Sequence, residues 1–207
     1  MKQAERNLVA EAKKHALEIL HDCITPHGFR ASADPAGYPQ VWARDSVITL
    51  LGALAAHDPE LVAAGRASLE TLGSGQSCWG LVPLNLNPDT GYISTENAGS
   101  CDANLWYILG QYALYQASGD AQALKKNWQR ISQALTWLQY QDMNECGLLE
   151  IPEAGNWMDL ISIRYNTLYD NVLYYAAALA YEEMTREIPS LSLDLPCHAS
   201  AESIHER

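Results

Sequence analysis

The stretch LKKNWQRISQALTWL, residues 124–138, indicates the fold class most clearly. Its apolar side chains recur at alternating steps of four and three residues, at Leu124, Trp128, Ile131, Leu135 and Leu138. This spacing places them along one face of an α-helix. Gly119-Asp120, immediately before this stretch, ends the preceding helix and caps this one.

Helical spacing or helix-start signals occur in five further segments, whereas no segment shows sustained alternation of apolar and polar residues. Asp58-Pro59, for example, combines an N-cap residue with proline at the first helical position. We therefore expect an all-α fold. The predicted helices span about Ala4–Asp22, Asp45–Ala56, Asp58–Gly73, Asp102–Ala117 and Thr167–Glu187, and the fifth in chain order is capped at Asp120 and contains the stripe at 124–138.

The connections between these helices have very unequal lengths. Short links at His57–Pro59 and Gly119–Asp120 alternate with long loops at 25–41, 74–100 and 144–166. In a stack of antiparallel helix pairs, this alternation places all the long loops at one end, where they form one functional face. We expect one helical domain over residues 1–187 and an irregular tail over 188–207, which shows no periodicity.

Composition excludes several classes of function. The chain has 25 acidic and 13 basic residues, a formal net charge of -12 and no cluster of Lys and Arg, which argues against binding nucleic acid through its phosphates. No apolar run approaches the length of a membrane span, so we expect no membrane contact. The N-terminus lacks the apolar core of a signal peptide, and none of the five cysteines forms a CxxC pair. We therefore expect reduced thiols in a cytoplasmic protein.

The sequence gives no support to a metal or an organic cofactor. His21-x-Cys23-x-x-x-His27 matches no established ligand spacing, and a helix C-terminus explains it better. Neither a GxGxxG motif nor a P-loop occurs. The aromatic content is more informative, because six Trp and eleven Tyr accompany a single Phe. Trp and Tyr combine a flat apolar face with a polar edge, which suits the faces and hydroxyl rims of sugar rings.

Three predicted helices that follow long loops begin with the same pattern, Asp-x-x-(Ile/Leu). These aspartates are Asp45, Asp102 and Asp170. Each one could be an N-cap that accepts hydrogen bonds from backbone N–H groups. Alternatively, three acidic helix starts at one end of a helical ring converge on one opening, together with Arg44 and neighbouring tryptophans.

A fourth carboxylate, Asp159, lies within the third long loop in the stretch GNWMD. Met158 and Leu160 flank it and Trp157 precedes it, and an apolar environment of this kind would raise its pKa as a general acid requires. An Asx turn is the alternative interpretation. Paired carboxylates beside aromatic platforms are typical of glycoside hydrolysis, in which one acid protonates the leaving oxygen and, in inverting enzymes, a second carboxylate activates water.

Three ordered motifs resemble the (α/α)6-barrel glycoside hydrolases. VWARDSVITLLGAL at 41–54 resembles the W-x-RD start of an inner helix, and GLVPLNLNP with SCDANLWYILGQYALY resembles a segment of the amylo-α-1,6-glucosidase (glycogen debranching enzyme) group. NWMDLISIRYNTLYDNVLYYAAAL at 156–179 resembles that group's T-W-M-D segment and the following helix. Glucoamylases and neutral/alkaline invertases are also similar. The resemblance covers about residues 38–183.

The resemblance implies roles for individual residues. Asp159 matches the position of the family's general acid, and Arg44 and Asp45 match the positions that grip the glycosyl unit. Tyr169 stands where the family often has Glu, so the resemblance does not assign the specificity of the pocket. The remaining substrate-binding positions implied by the resemblance are Trp42, Asp102, Trp106, Trp157 and Asn171.

Length is the main departure from this family. A full toroid needs twelve helices, so six helices in three antiparallel hairpins imply half of an (α/α)6 toroid, without the half that carries the family's general base. The leading hypothesis is a catalytic-domain fragment for inverting hydrolysis of α-glucosidic bonds in an α-glucan or oligosaccharide, either completed by a missing C-terminal half or self-associating. The alternatives are a neutral invertase or another oligosaccharide glycosidase, an inactive carbohydrate-binding half barrel, and an all-α interaction scaffold.

Overall fold

The computed structural model describes residues 3–34, 36–95, 100–191 and 200–207, and these residues form an all-α fold, as predicted. Cys197 and much of the predicted tail lie outside the described residues. The helices are α1 (Gln3–Asp22), α2 (Ala43–Ala56), α3 (Pro59–Ser74), α4 (Cys101–Ser118), α5 (Ala121–Gln139), α6 (Leu168–Glu187) and α7 (Ala201–His205), with a 3-10 turn at Pro189–Leu191. The short strands are β1 (Ile24–Thr25), β2 (Gly28–Phe29), β3 (Val41–Trp42), β4 (Asn85–Asn87) and β5 (Tyr92–Ser94).

Two helical hairpins, α2–α3 and α4–α5, form the centre of the fold. The side-chain amide of Asn104 donates to the carbonyl of Ala134, and further along α4 Gln111 accepts from Asn127. Because these contacts run in opposite order along α4 and α5, the two helices are antiparallel. Gly119, with φ of 64°, makes the left-handed turn that ends α4.

Helices α2, α4 and α6 pack side by side in a row, with α3 against α2 and α5 against α4. Trp106 contacts Tyr169 near the starts of α4 and α6, and Tyr112 donates to Glu183 nearer their ends. The same order along both helices makes α4 and α6 parallel. Gly110 allows α4 to lie close to α2, since a Cβ there would be 2.9 Å from Val47 Cγ2.

The long loops meet at one end of this row, as the alternation of loop lengths predicts. Strand β3, which precedes α2, pairs with β4 in the loop before α4, and β4 pairs with β5. The loop before α6 joins the same end, because the backbone N–H of Cys101 donates to the carbonyl of Gly155 at 2.8 Å. The loops therefore hold the starts of α2 and α4 in place.

The predicted hairpins and tail differ from the structure in two respects. Helix α1 has no buried residue. Helix α6 packs against α4 on one side, but among the described residues its hairpin partner is the five-residue α7 and not a long helix. The expectation of an irregular tail is wrong for Ala201–His205, which form α7. Ala201 and Ile204 are buried, and the Ala201 N–H donates to the carboxylate of Glu182 on α6.

Both edges of the α2–α4–α6 row expose apolar side chains. These are Ile48 and Leu51 on α2, and Leu168, Val172 and Leu179 on α6. An open row of three helices leaves such faces at its two edges, as expected for half of a ring. Within the described ranges, no helix combines the length and apolar character needed to cross a membrane.

Candidate functional site

Arg44 and Asp102 form an ion pair between the starts of α2 and α4. Arg44 Nη1 donates to Asp102 Oδ2 at 2.8 Å. The Asp102 side chain is 0% exposed, whereas that of Arg44 is 23% exposed. Thus the carboxylate is fully buried, whereas part of the Arg44 side chain remains accessible to solvent.

Three aromatic side chains are linked to the Asp102 side of this pair. The Tyr169 hydroxyl donates to Asp102 Oδ2 at 3.2 Å and accepts from Trp106 Nε1 at 3.0 Å. The Trp157 ring meets the Tyr169 ring edge-on, with centroids 6.3 Å apart, and Trp157 is 51% exposed. We call Arg44, Asp102, Trp106, Trp157 and Tyr169 the helix-start cluster.

Burial controls the electrostatics of the cluster. It raises the pKa of Asp102 above the ordinary value of an aspartate, while Arg44, the Tyr169 hydroxyl and the Trp157 backbone N–H lower that pKa. No hydrogen bond of normal geometry reaches Asp102 Oδ1. The pKa of Tyr169 is also raised, by burial and then by the Asp102 charge, so this phenol stays protonated and can donate.

A second carboxylate, Asp170, is buried nearby and is 0% exposed. Asn156 Nδ2 donates to its Oδ2 at 2.7 Å, and the Thr167 hydroxyl donates to the same oxygen. Burial raises the pKa of Asp170, and the charge of Asp102 raises it further. Burial and both carboxylates raise the pKa of the adjacent Cys101 thiol.

The capping interpretation of the three helix-start aspartates is wrong. The N-cap positions of α2, α4 and α6 are Trp42, Ser100 and Thr167, and of these only Thr167 uses its side chain as a cap. The aspartates occupy the second or third helical position instead. Of these, Asp102 and Asp170 are buried and Asp45 is exposed.

Asp159 lies exposed in the loop before α6. Its neighbour Leu160 is 97% exposed, so the apolar enclosure expected around Asp159 from its sequence neighbours is wrong. Trp157, two residues earlier, connects this part of the loop to the helix-start cluster. The assignment of Asp159 as the general acid stays a prediction.

Asn171 and Trp42 have contacts that suit structural roles. The Asn171 side chain accepts from the Leu149 N–H at 2.7 Å and donates to the carbonyls of Leu149 and Thr167. These bonds tie the loop to α6. The half-buried Trp42 meets Tyr38 edge-on, with ring centroids 6.0 Å apart. Substrate contact by either residue stays a prediction.

Sequence reasoning missed the buried polar partners of Asp170. Thr167-Leu-Tyr-Asp170 matches the pattern of a capping box, which was a readable signal. Asn156 had no such signal, because only the folded loop brings it to Asp170. Tyr169 was identified as a departure from the family, but its contacts with Asp102 and Trp106 depend on the packing of α6 against α4.

Among the described residues, no group of three or more His, Cys, Asp or Glu side chains could hold a metal ion. Comparison with known proteins leaves the cluster to be interpreted from its own geometry. No family model matches this sequence, and no curated protein is significantly similar to it.

Proposed function

We propose that this chain is a catalytic-domain fragment of an (α/α)6-type glycoside hydrolase and that its helix-start cluster binds the glycosyl unit of an α-glucoside. One observation carries the proposal: Arg44 is held by a buried carboxylate that Tyr169 also contacts, and Tyr169 in turn contacts Trp106 and the exposed Trp157. A sugar ring needs apolar platforms for its faces and fixed donors for its hydroxyls, and the cluster supplies both.

In this proposal the buried groups of the cluster orient the accessible groups, and the accessible groups contact the sugar. Asp102 is fully buried, so in this proposal it orients Arg44 and does not touch the sugar. Arg44 keeps donors for sugar hydroxyl oxygens, because Asp102 accepts from only one of its terminal nitrogens. Trp157 offers the stacking surface, being half-exposed at the rim.

Hydrolysis requires an acid that protonates the leaving oxygen, and in this proposal that acid is Asp159. The reaction is inverting hydrolysis of the debranching α-1,6 type, carried out in the cytoplasm, and the carboxylate that takes the proton of the attacking water comes from the complementary half of the toroid or from a second copy of the chain. Free thiols in the four described cysteines suit that reducing compartment. The exposure of Asp159 and Leu160 favours a second candidate, an inactive carbohydrate-binding half barrel, because a general acid is expected in an apolar enclosure and neither residue is enclosed.

Calorimetric titration of the purified chain with methyl α-D-glucoside, isomaltose, maltose and sucrose tests the proposal. We expect Trp106→Ala to abolish binding. Trp79→Ala is the control and should retain binding, because the Trp79 indole is exposed and lies outside the cluster. Lack of binding by every sugar, or equal effects of the two substitutions, would contradict the proposal.

Release of reducing sugar from isomaltose separates the two candidates. The enzyme candidate, with the site completed by self-association of the chain, predicts release that Asp159→Asn abolishes without weakening binding, because the substitution removes only the proton donor. Binding without release, in both the wild type and Asp159→Asn, supports the inactive candidate.

A further inference from the structure

The loop before α6 reaches the helix-start cluster through residues 155–157. Gly155 and Asn156 are buried, whereas Leu160, a few residues further on, is almost fully exposed. The carbonyl of Gly155 accepts from the N–H of Cys101, at the start of α4, at 2.8 Å. The loop is therefore attached to the helix starts immediately before Trp157 and runs into solvent shortly after it.

A side-chain hydrogen bond between Asn156 and Asp170 forms a second attachment. Asn156 Nδ2 donates to Asp170 Oδ2 at 2.7 Å, and both side chains are buried. The acceptor is held in turn, because the Thr167 hydroxyl donates to the same oxygen. A hydrogen bond to a buried carboxylate is strong, since water does not compete for it. This bond joins the loop to the first turn of α6, one residue before Trp157.

Asn156 also determines how the backbone continues through Trp157. Its Oδ1 accepts from the N–H of Met158 at 2.9 Å, which forms an Asx turn. Both ends of the Asn156 amide are therefore fixed, one by Asp170 and the other by Met158. Trp157 lies between the two ends of this turn, and its ring meets Tyr169 edge-on.

The charge of Asp170 strengthens this attachment. Burial raises the pKa of Asp170, while the donors Thr167 and Asn156 lower it, so both hydrogen bonds stabilise the ionised carboxylate. Removing a donor from a buried carboxylate costs more than removing a bond between neutral groups. Because Asp170 is 0% exposed, it acts on the surface of the cluster through Asn156 and not by contact with a ligand.

We propose that Asp170 is a positioning residue for the helix-start cluster. Through Asn156 it fixes the exposed indole of Trp157 against Tyr169, and it thereby sets the affinity of the cluster for its ligand. The effect on affinity rests on the proposed function, whereas the position of the indole does not. Thr167 provides the N-cap of α6, so the proposal gives Asp170 a role that is distinct from capping.

Exchanging the two side chains tests this pair. Asn156→Asp places two carboxylates together in a buried site and should displace the indole of Trp157, because the like charges repel each other. Adding Asp170→Asn gives the exchange variant, which again has one donor and one acceptor, in the reverse direction. The exchange variant should return the indole to its place. Independent structural losses at the two residues would add, whereas a direct bond predicts rescue.

Fluorine NMR of protein labelled with 5-fluorotryptophan reports the position of Trp157. The chain has six tryptophans, and the Trp157 resonance is the one that Trp157→Phe removes. We expect this resonance to move toward that of free 5-fluorotryptophan in Asn156→Asp and to return in the exchange variant. Asn156→Ser should also move it, because serine keeps an acceptor for the Met158 N–H but cannot reach Asp170. Asn156→Ser keeps the test decisive if Asn156→Asp does not fold.

Affinity for methyl α-D-glucoside is the second readout. It should fall about tenfold in Asn156→Ser, as in Trp157→Ala, and recover in the exchange variant, because an aromatic platform out of place contributes no stacking. Ser68→Ala is the matched control, since it removes a buried hydrogen bond from the N–H of Phe29, outside the loop before α6. This control should change neither the Trp157 resonance nor the affinity.

The outcomes separate this inference from the proposed function. If the Trp157 resonance stays in place in Asn156→Ser, or if the exchange variant does not restore it after Asn156→Asp, the positioning role of Asp170 is wrong whatever the affinities are. If the resonance moves and returns but the wild type binds no sugar, the positioning of the indole stands and the proposed function is wrong. If the wild type binds sugar and Asn156→Ser binds it equally well, the claim that Asp170 sets the affinity is wrong.

Discussion

Replacing Arg44 by methionine should destabilise the protein, because it leaves Asp102 buried without its cation. Removing one partner of a fully buried ion pair costs about 3–5 kcal/mol. Two features reduce that cost here. Arg44 is 23% exposed, and the Tyr169 hydroxyl continues to donate to Asp102. We therefore expect Arg44→Met to lower the free energy of unfolding by about 2–3 kcal/mol near pH 8.

The loss should depend on pH in a defined direction. Burial already raises the folded-state pKa of Asp102, and removing Arg44 raises it further. Between the unfolded and folded pKa values the folded state binds more protons, so the stability gained by protonation is present at low pH and lost as pH rises through the folded pKa. The penalty in Arg44→Met should therefore fall to about 1 kcal/mol near pH 5.

Urea unfolding followed by circular dichroism at the two pH values measures both effects. Arg164→Met is the matched control, because Arg164 pairs with Glu153 at 3.4 Å and both side chains are largely exposed. We expect the control to lose less than about 0.5 kcal/mol at either pH. The reasoning is refuted if Arg44→Met costs no more than the control, or if its cost is the same at both pH values.

Three further substitutions or reactions test other parts of the structure. Gly28→Ala should cost about 3 kcal/mol in urea unfolding, because φ is +114° and a Cβ would lie 2.2 Å from a side-chain oxygen. Gly91→Ala, at φ +72° in open space, should cost only about 1 kcal/mol, and equal costs would contradict the steric argument. Thr167→Val should cost about 1–2 kcal/mol by removing the cap of α6, and an unchanged unfolding midpoint would argue against that cap. Iodoacetamide at alkaline pH should modify the exposed Cys78 and leave Cys101 unmodified until unfolding, since burial raises the Cys101 pKa; rapid labelling of Cys101 would show that its site opens.

The helices were predictable because their signals are local. The stripe over residues 124–138 lies within α5, and Asp58-Pro59 marks the start of α3 where the structure has it. Most predicted helix ends agree with the structure within two residues. The strands were missed because pairs and triplets of residues are too short to show alternation. Helix α7 was missed for a similar reason, since five residues show no helical period.

The sequence by itself determined the all-α class, the ends of the helices and the presence of acidic residues in the first turns that follow the long loops. Only the tertiary structure decided which of these acids are buried. On α2 the buried face contains Ala43, Val47 and Leu50, and Asp45 lies outside it, whereas Asp102 and Asp170 lie on packed faces. The reason is the rotation of each helix about its axis. Successive residues differ by about 100°, so packing between helices places similar motifs in water or in the core.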